Sequence, residues 1–221
     1  MPGVNRNGRF VDGYCSTVEH IAIVFSRLGF GPMVFTVGGL LLAIAAGCFL
    51  WTGHLIIGGI LLFAGGFSDS LDGAVARAGN KVTRFGAILD STLDRYAEFA
   101  IFLGFYGYLG HSYARFVGIY QIITVVALLG SVMVSYVRAR SEGLGIPCSV
   151  GFWQRPERVI ALGTASVVTG ALNPLFIRWS YNYMHDLIIK AVLIVLAVGT
   201  NLTAIKRLLH AKRILRERGM N

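Results

Sequence analysis

Four aspartates carry the chemistry that this sequence is equipped to do. Asp69 and Asp72 stand three apart in SDSLDGAVAR, and Asp90 and Asp94 stand four apart in GAILDSTLDR. On a helix either spacing places both carboxylates on one face. The stretch between them, ARAGNKVTRFG, contains Gly79, Asn80 and Gly86 and reads as a tight turn. Two antiparallel helices joined there would turn their acidic faces toward each other. Carboxylates gathered in a low dielectric must take up protons or bind cations, and Arg77 and Arg95 are too few to neutralise four. Clustered carboxylate oxygens suit a hard divalent ion, Mg²⁺ or Mn²⁺, with substrate phosphates filling the remaining positions. Two such ions about 4 Å apart would clamp a phosphoryl group and stabilise its leaving oxygen. Gly73, Ala76 and Gly86 lie on the same two helices and would leave a smooth floor for a nucleotide. Ion pairing at a membrane boundary accounts for one or two acids, but not for four on adjacent helices with glycines between them.

The elements that must hold these residues are apolar. Of 221 residues, 55% are hydrophobic and 14% charged, against about 25% charged in a typical soluble domain. The apolar residues fall into runs near the length of about 20 that a membrane helix needs. The expected fold is an all-α integral membrane protein with six transmembrane helices, at about 32–51, 54–78, 84–110, 115–140, 157–177 and 186–210. An N-terminal helix precedes them at 11–29. Its Val18, Ile21, Ala22, Phe25 and Leu28 recur at helical spacing, and it is expected to lie amphipathically in the interface. The domain reading is a flexible N-terminus (1–10), the interfacial helix (11–29), a six-helix catalytic domain (30–211) and a basic tail (212–221).

Charge gives the orientation. Lysines and arginines gather at one set of helix ends and in the tail, leaving only Arg115, Arg178 and Lys190 toward the other side. Both termini, and the acidic pairs with them, are therefore expected on the cytoplasmic side of the cell membrane. The formal charge of +9 then reads as attraction to anionic lipid, since no nucleic-acid-binding motif is present. Cys15, Cys48 and Cys148 lack disulfide or zinc spacing, and the five histidines are scattered. The first thirty residues hold no short apolar core before a cleavage site, so no signal peptide is expected. No repeat of one half in the other supports an inverted-repeat transporter.

The frame Asp69-x-x-Asp72-Gly73-x-x-Ala76-Arg77, eight residues, Gly86-x-x-x-Asp90-x-x-x-Asp94 resembles the signature of the CDP-alcohol phosphotransferases, with every fixed position filled. The resemblance implies transfer of a phosphatidyl group from a CDP-linked lipid, CDP-diacylglycerol, to an alcohol, with release of CMP. It implies Asp69, Asp72 and Asp90 as metal ligands, with Asp94 as general base and a further metal contact. It places Gly73, Arg77, Thr83 and the turn Gly31-Pro32-Met33-Val34 around the CDP portion, although many members have Asn or Asp where Met33 stands. It also implies a homodimer.

Three basic segments bear on the acceptor. SYVRAR, RPER and the arginine of the last span are similar to the phosphatidylinositol-phosphate synthase branch of that family. The resemblance implies that Arg138, Arg158 and Arg207 grip the phosphate of inositol 1-phosphate. Arg138 departs from the lysine usual there, replacing a point charge with a planar fork. Glycerol 3-phosphate is the main alternative, followed by free inositol or serine. A cation channel or transporter would also use the aspartates, but it leaves Gly73, Ala76, Arg77 and Gly86 unexplained.

Overall fold

The apolar runs fold as helices close to where their glycines, prolines and charges punctuate them. In a computed structural model, which describes residues 9–111, 117–178 and 185–219, seven helices run in order. They are α1 (Arg9–Arg27), α2 (Pro32–Trp51), α3 (Leu55–Ala78), α4 (Arg84–Gly110), α5 (Val117–Gly143), α6 (Arg155–Arg178) and α7 (Leu187–Glu217). Among the described residues there is no strand. Most of the expected flexible segment 1–10, and Arg115 of the outer side, lie outside the described residues.

Among the described residues four helices, α2, α3, α5 and α7, are long and apolar enough to cross a membrane. The six-span count is not reached on that measure. In α4 the reason is the acidic motif itself, since Asp90, Asp94, Arg95 and Glu98 all fall between its start and its middle turn. In α6 the uncharged stretch 159–177 is broken up by Thr164, Ser166, Thr169, Asn173 and Pro174. α7 outruns its expected end by several residues and carries the helix into the basic segment, where Arg213 Nε meets Glu217 Oε1 at 2.9 Å.

The chain forms two compact units. One comprises residues 1–42 and 64–97, the other residues 43–63 and 98–221. The first is organised around α1 and the second half of α3. Val18 and Ala22 of α1 are buried with Leu71, Ala74 and Val75 of α3, and Phe25, Phe35 and Phe67 close over them. The sharp entry into α2 is made by Gly29 (φ 87°). The amides of Gly29 and Phe30 return to the carbonyls of Ser26 and Phe25 there, a closure that requires the left-handed backbone glycine adopts readily. Pro32 then opens α2, where its missing N–H costs nothing.

The second unit is packed through small residues. A Cβ on Gly104 of α4 would lie 2.5 Å from the carbonyl oxygen of Gly47 in α2, and one on Gly130 of α5 would lie 2.1 Å from Thr200 Oγ1 of α7. Backbones approaching this closely exchange side-chain volume for extended van der Waals contact, the usual cohesion of helices in lipid. Phe102, Phe105, Leu109, Leu193 and Leu196 fill the rest of the core. A polar knot ties α4, α6 and α7 together. Asp186, fully buried, accepts from Tyr108 Oη and from Asn173 Nδ2 (2.9 Å), and it meets His185 Nδ1 at 2.7 Å.

Candidate active site

The acidic motif is built by the end of one helix and the start of the next. α3 closes with Asn80 in the left-handed region (φ 51°). The Asn80 amide reaches the Arg77 carbonyl at 3.2 Å and the Lys81 amide reaches that of Ala76 at 2.8 Å, the paired closure of a Schellman turn. Thr83 then caps α4, its Oγ1 accepting from the Gly86 amide at 2.9 Å. A Cβ on Gly86 would sit 2.9 Å from that same hydroxyl. Thr83, expected among the CDP contacts, thus has a helix-capping job of its own, and Gly86 gives the cap room. α2 is fastened alongside, with Ser68 Oγ donating to the Phe35 carbonyl at 2.9 Å. A Cβ on Gly39 would come within 4 Å of the Asp69 amide.

With both helix ends fixed, Asp69, Asp72 and Asp90 converge, with one carboxylate oxygen of each within 4.8 Å of the others. Asp72 is buried, and its Oδ2 has no hydrogen-bond partner among the described residues. A buried carboxylate oxygen left in that state is costly. Beside two further carboxylates it fits a hard cation, for which oxygen is the preferred ligand. Asp94 lies one turn beyond Asp90 on α4, outside that group of three, and meets Arg95 Nη2 at 3.7 Å. Arg77 is exposed, and its Nη1 would lie 3.3 Å from a Cβ on Gly73, so the guanidinium lies over the bare backbone of that glycine. Gly31 leads into α2, and Pro32, Met33 and Val34 open it, with Met33 and Val34 exposed and the Val34 amide donating to the Gly31 carbonyl at 3.2 Å.

The three arginines have distinct surroundings. Arg138 is half-buried on α5 and pairs with Glu142, Nε to Oε1, at 2.9 Å. Arg158 is 2% exposed. Its Nε and Nη2 lie 2.9 and 2.6 Å from Glu98 Oε1, and its Nη1 donates to the Trp153 carbonyl at 3.0 Å. Arg207 is equally buried, with Nε on the Val150 carbonyl at 2.8 Å and Nη1 on that of Val134 at 2.6 Å. Among the described residues it has no carboxylate partner. Glu98 was not singled out from the sequence. Its signal was there, because Asp90, Asp94 and Glu98 follow one another every four residues and so share a face of α4.

Residues 30–203 match the CDP-alcohol phosphatidyltransferase family, and this chain belongs to it. It is an enzyme of phospholipid synthesis, and the channel alternative falls. It is 37% identical over 187 residues to an archaetidylinositol phosphate synthase of Methanothermobacter thermautotrophicus, covering 85% of this chain and 86% of that one. It is 32% identical over 201 residues to a phosphatidylinositol phosphate synthase of Mycobacteroides abscessus, covering 90% and 85%. Among solved structures it is similar to the Mycobacterium tuberculosis phosphatidylinositol phosphate synthase. In complex with manganese and citrate, that protein superposes with a TM-score of 0.73 at 31% identity, covering 88% of each chain. With CDP-DAG bound, it gives 0.73 at 30% identity, covering 88% of this chain and 92% of that one.

Proposed function

We propose that this enzyme transfers the phosphatidyl group of CDP-diacylglycerol to inositol 1-phosphate, forming phosphatidylinositol phosphate and CMP. The observation that carries the acceptor is Arg207, a cation buried among neutral carbonyls with no carboxylate in ion-pair contact among the described residues. A buried charge in that state is expensive, and a phosphate dianion is the partner that would relieve it through charge-assisted hydrogen bonds. Arg138 and Arg158 complete the acceptor set. The relatives named for inositol phosphate products support the same choice over glycerol 3-phosphate.

Asp69, Asp72 and Asp90, with Asp94 as a further contact, would hold two divalent ions, Mg²⁺ or Mn²⁺. The manganese in the mycobacterial protein supports this. Bound there, the ions would screen the diphosphate and make CMP a better leaving group. Asp94 takes the proton of the acceptor hydroxyl, whose oxygen attacks the lipid-side phosphorus. The bond to the CMP oxygen breaks, and CMP departs with the electron pair. Gly73, Arg77, Thr83 and residues 31–34 hold the CDP portion. The CDP-DAG-bound mycobacterial structure supports a CDP-linked lipid as donor.

We further read six spans, α2 to α7, with α1 in the interface, and both termini and the site on the cytoplasmic side of the cell membrane. A cysteine placed at Arg218 should react with an impermeant thiol reagent only from that side. Reaction from outside would invert the orientation. A homodimer in the membrane is expected from mass measurements in lipid discs, and a monomer mass would remove it. The deciding experiment presents purified enzyme and CDP-diacylglycerol with inositol 1-phosphate, inositol, glycerol 3-phosphate, serine and ethanolamine in turn, following CMP. Inositol 1-phosphate should give the highest kcat/KM. A preference for glycerol 3-phosphate would move the enzyme to another branch of the same family.

A further inference from the structure

The buried arginines proposed to hold the acceptor differ in charge balance, and Glu98 makes the difference. It lies two helical turns beyond Asp90 on the same face of α4, and it is 8% exposed. Both Nε and Nη2 of Arg158 meet its Oε1, at 2.9 and 2.6 Å. The Nε bond and the Nη2 ion-pair contact to one oxygen hold the guanidinium against Glu98. Arg158 Nη1 in turn holds the Trp153 carbonyl at 3.0 Å. Trp153 belongs to the connection between α5 and α6, and three residues earlier in that connection the Val150 carbonyl accepts from Arg207 Nε at 2.8 Å. The same connection is braced against α7, because a Cβ on Gly199 would lie 2.0 Å from the indole nitrogen of Trp153. Glu98, Arg158, Trp153, Val150 and Arg207 thus form one continuous run of polar and backbone contacts within the second unit.

We propose that Glu98 is a positioning residue for the acceptor phosphate. It orients Arg158 directly, and through the Trp153 and Val150 carbonyls it holds Arg207. This rests on the acceptor reading above. Glu98 itself does not touch the acceptor. A cavity beside the ion pair, lined by Glu98, Arg155, Arg158 and apolar residues such as Leu62 and Phe102, has a volume of about 30 Å³. That is room for a water-sized group and not for a sugar phosphate. Because Glu98 pairs with Arg158, whereas Arg207 has no carboxylate in ion-pair contact among the described residues, the Glu98 carboxylate supplies geometry in place of affinity.

The test is a double-mutant cycle read by steady-state kinetics in both substrates. Glu98→Gln should raise the acceptor KM on the order of tenfold, the worth of one charged hydrogen bond, and leave the CDP-diacylglycerol KM within about twofold. Glu98→Asp should give a smaller rise. In an Arg158→Gln background, Glu98→Gln should add no further rise, since its effect passes through Arg158. The neutral Gln–Gln pair carries no unbalanced buried charge, so this arm remains readable if Glu98→Gln alone folds poorly. A carboxylate that only stabilised the fold would move both KM values together or neither, and either result overturns the proposal. So does a full additional rise in the Arg158→Gln background. Arg207→Gln, measured alongside, separates the two layers. An unchanged acceptor KM there overturns the phosphate reading and this role with it, whereas a raised KM there beside an unmoved Glu98→Gln overturns the role of Glu98 alone.

Discussion

Asp72 buries a carboxylate oxygen that nothing among the described residues satisfies, and two more aspartates crowd it. A proton or a cation relieves such a group, and three carboxylates together suit a divalent ion. Asp69→Asn, Asp72→Asn and Asp90→Asn should each lose nearly all CMP release while keeping the helical circular-dichroism signal. A chelator should silence the unaltered enzyme, and Mg²⁺ or Mn²⁺ should restore it. Full activity in chelator would remove the metal from the mechanism. Asp94 should behave differently, because it stands outside the group of three. Asp94→Asn should retain affinity for CDP-diacylglycerol and lose turnover by a factor on the order of 10²–10⁴, the usual worth of a positioned base. If affinity falls in step with turnover, Asp94 is chiefly a ligand. At this scale the convergence of Asp69, Asp72 and Asp90 was legible in the sequence, because helical spacing fixes which carboxylates can meet, whereas the place of Asp94 outside that group was not. The arginines were legible as charges only. That Arg158 is held by Glu98 and Arg207 by two carbonyls depends on pairings 57 to 73 residues apart in sequence, which no local pattern encodes.

Elements give the motif its rigidity. The glycine at 86 in the acidic signature is required by the cap as much as by any ligand, since the Thr83 hydroxyl fills the space where a side chain would begin. Thr83→Ala should cost about 1 kcal/mol of stability, the usual worth of a lost cap, and should speed hydrogen exchange at the Gly86 amide. Thr83→Ser should restore both. Unchanged exchange in the alanine variant would show that the cap contributes nothing. Helix limits were readable to within a few residues nearly everywhere, because Gly29, Pro32, Gly79, Asn80 and the charged helix starts mark them. Membrane crossing was less readable. α4 surrenders apolar length to the charges it carries, and α6 to the polar residues and Pro174 within its span, so among the described residues length and composition certify four spans.

The molecule as a whole divides its duties, with the acidic motif in one compact unit and the three arginines in the other. That division was not visible in the sequence, since α2, α3 and α4 each run through both units without a break in helical pattern. Arg207 gives the second unit a property that can be read without any turnover. A buried guanidinium with no carboxylate in ion-pair contact among the described residues leaves a place for an anion, so the melting behaviour should depend on which salt surrounds the protein. Inorganic phosphate should raise the thermal midpoint in detergent where chloride at equal ionic strength does not. The gain should grow with the logarithm of concentration, to about 2.7 kcal/mol at a hundred times the Kd. Arg207→Gln should melt alike in both salts, and equal midpoints for the unaltered protein would mean that its interior charge is balanced in some other way. The choice of buffer thus becomes a measure of how far the enzyme is from its acceptor-bound state.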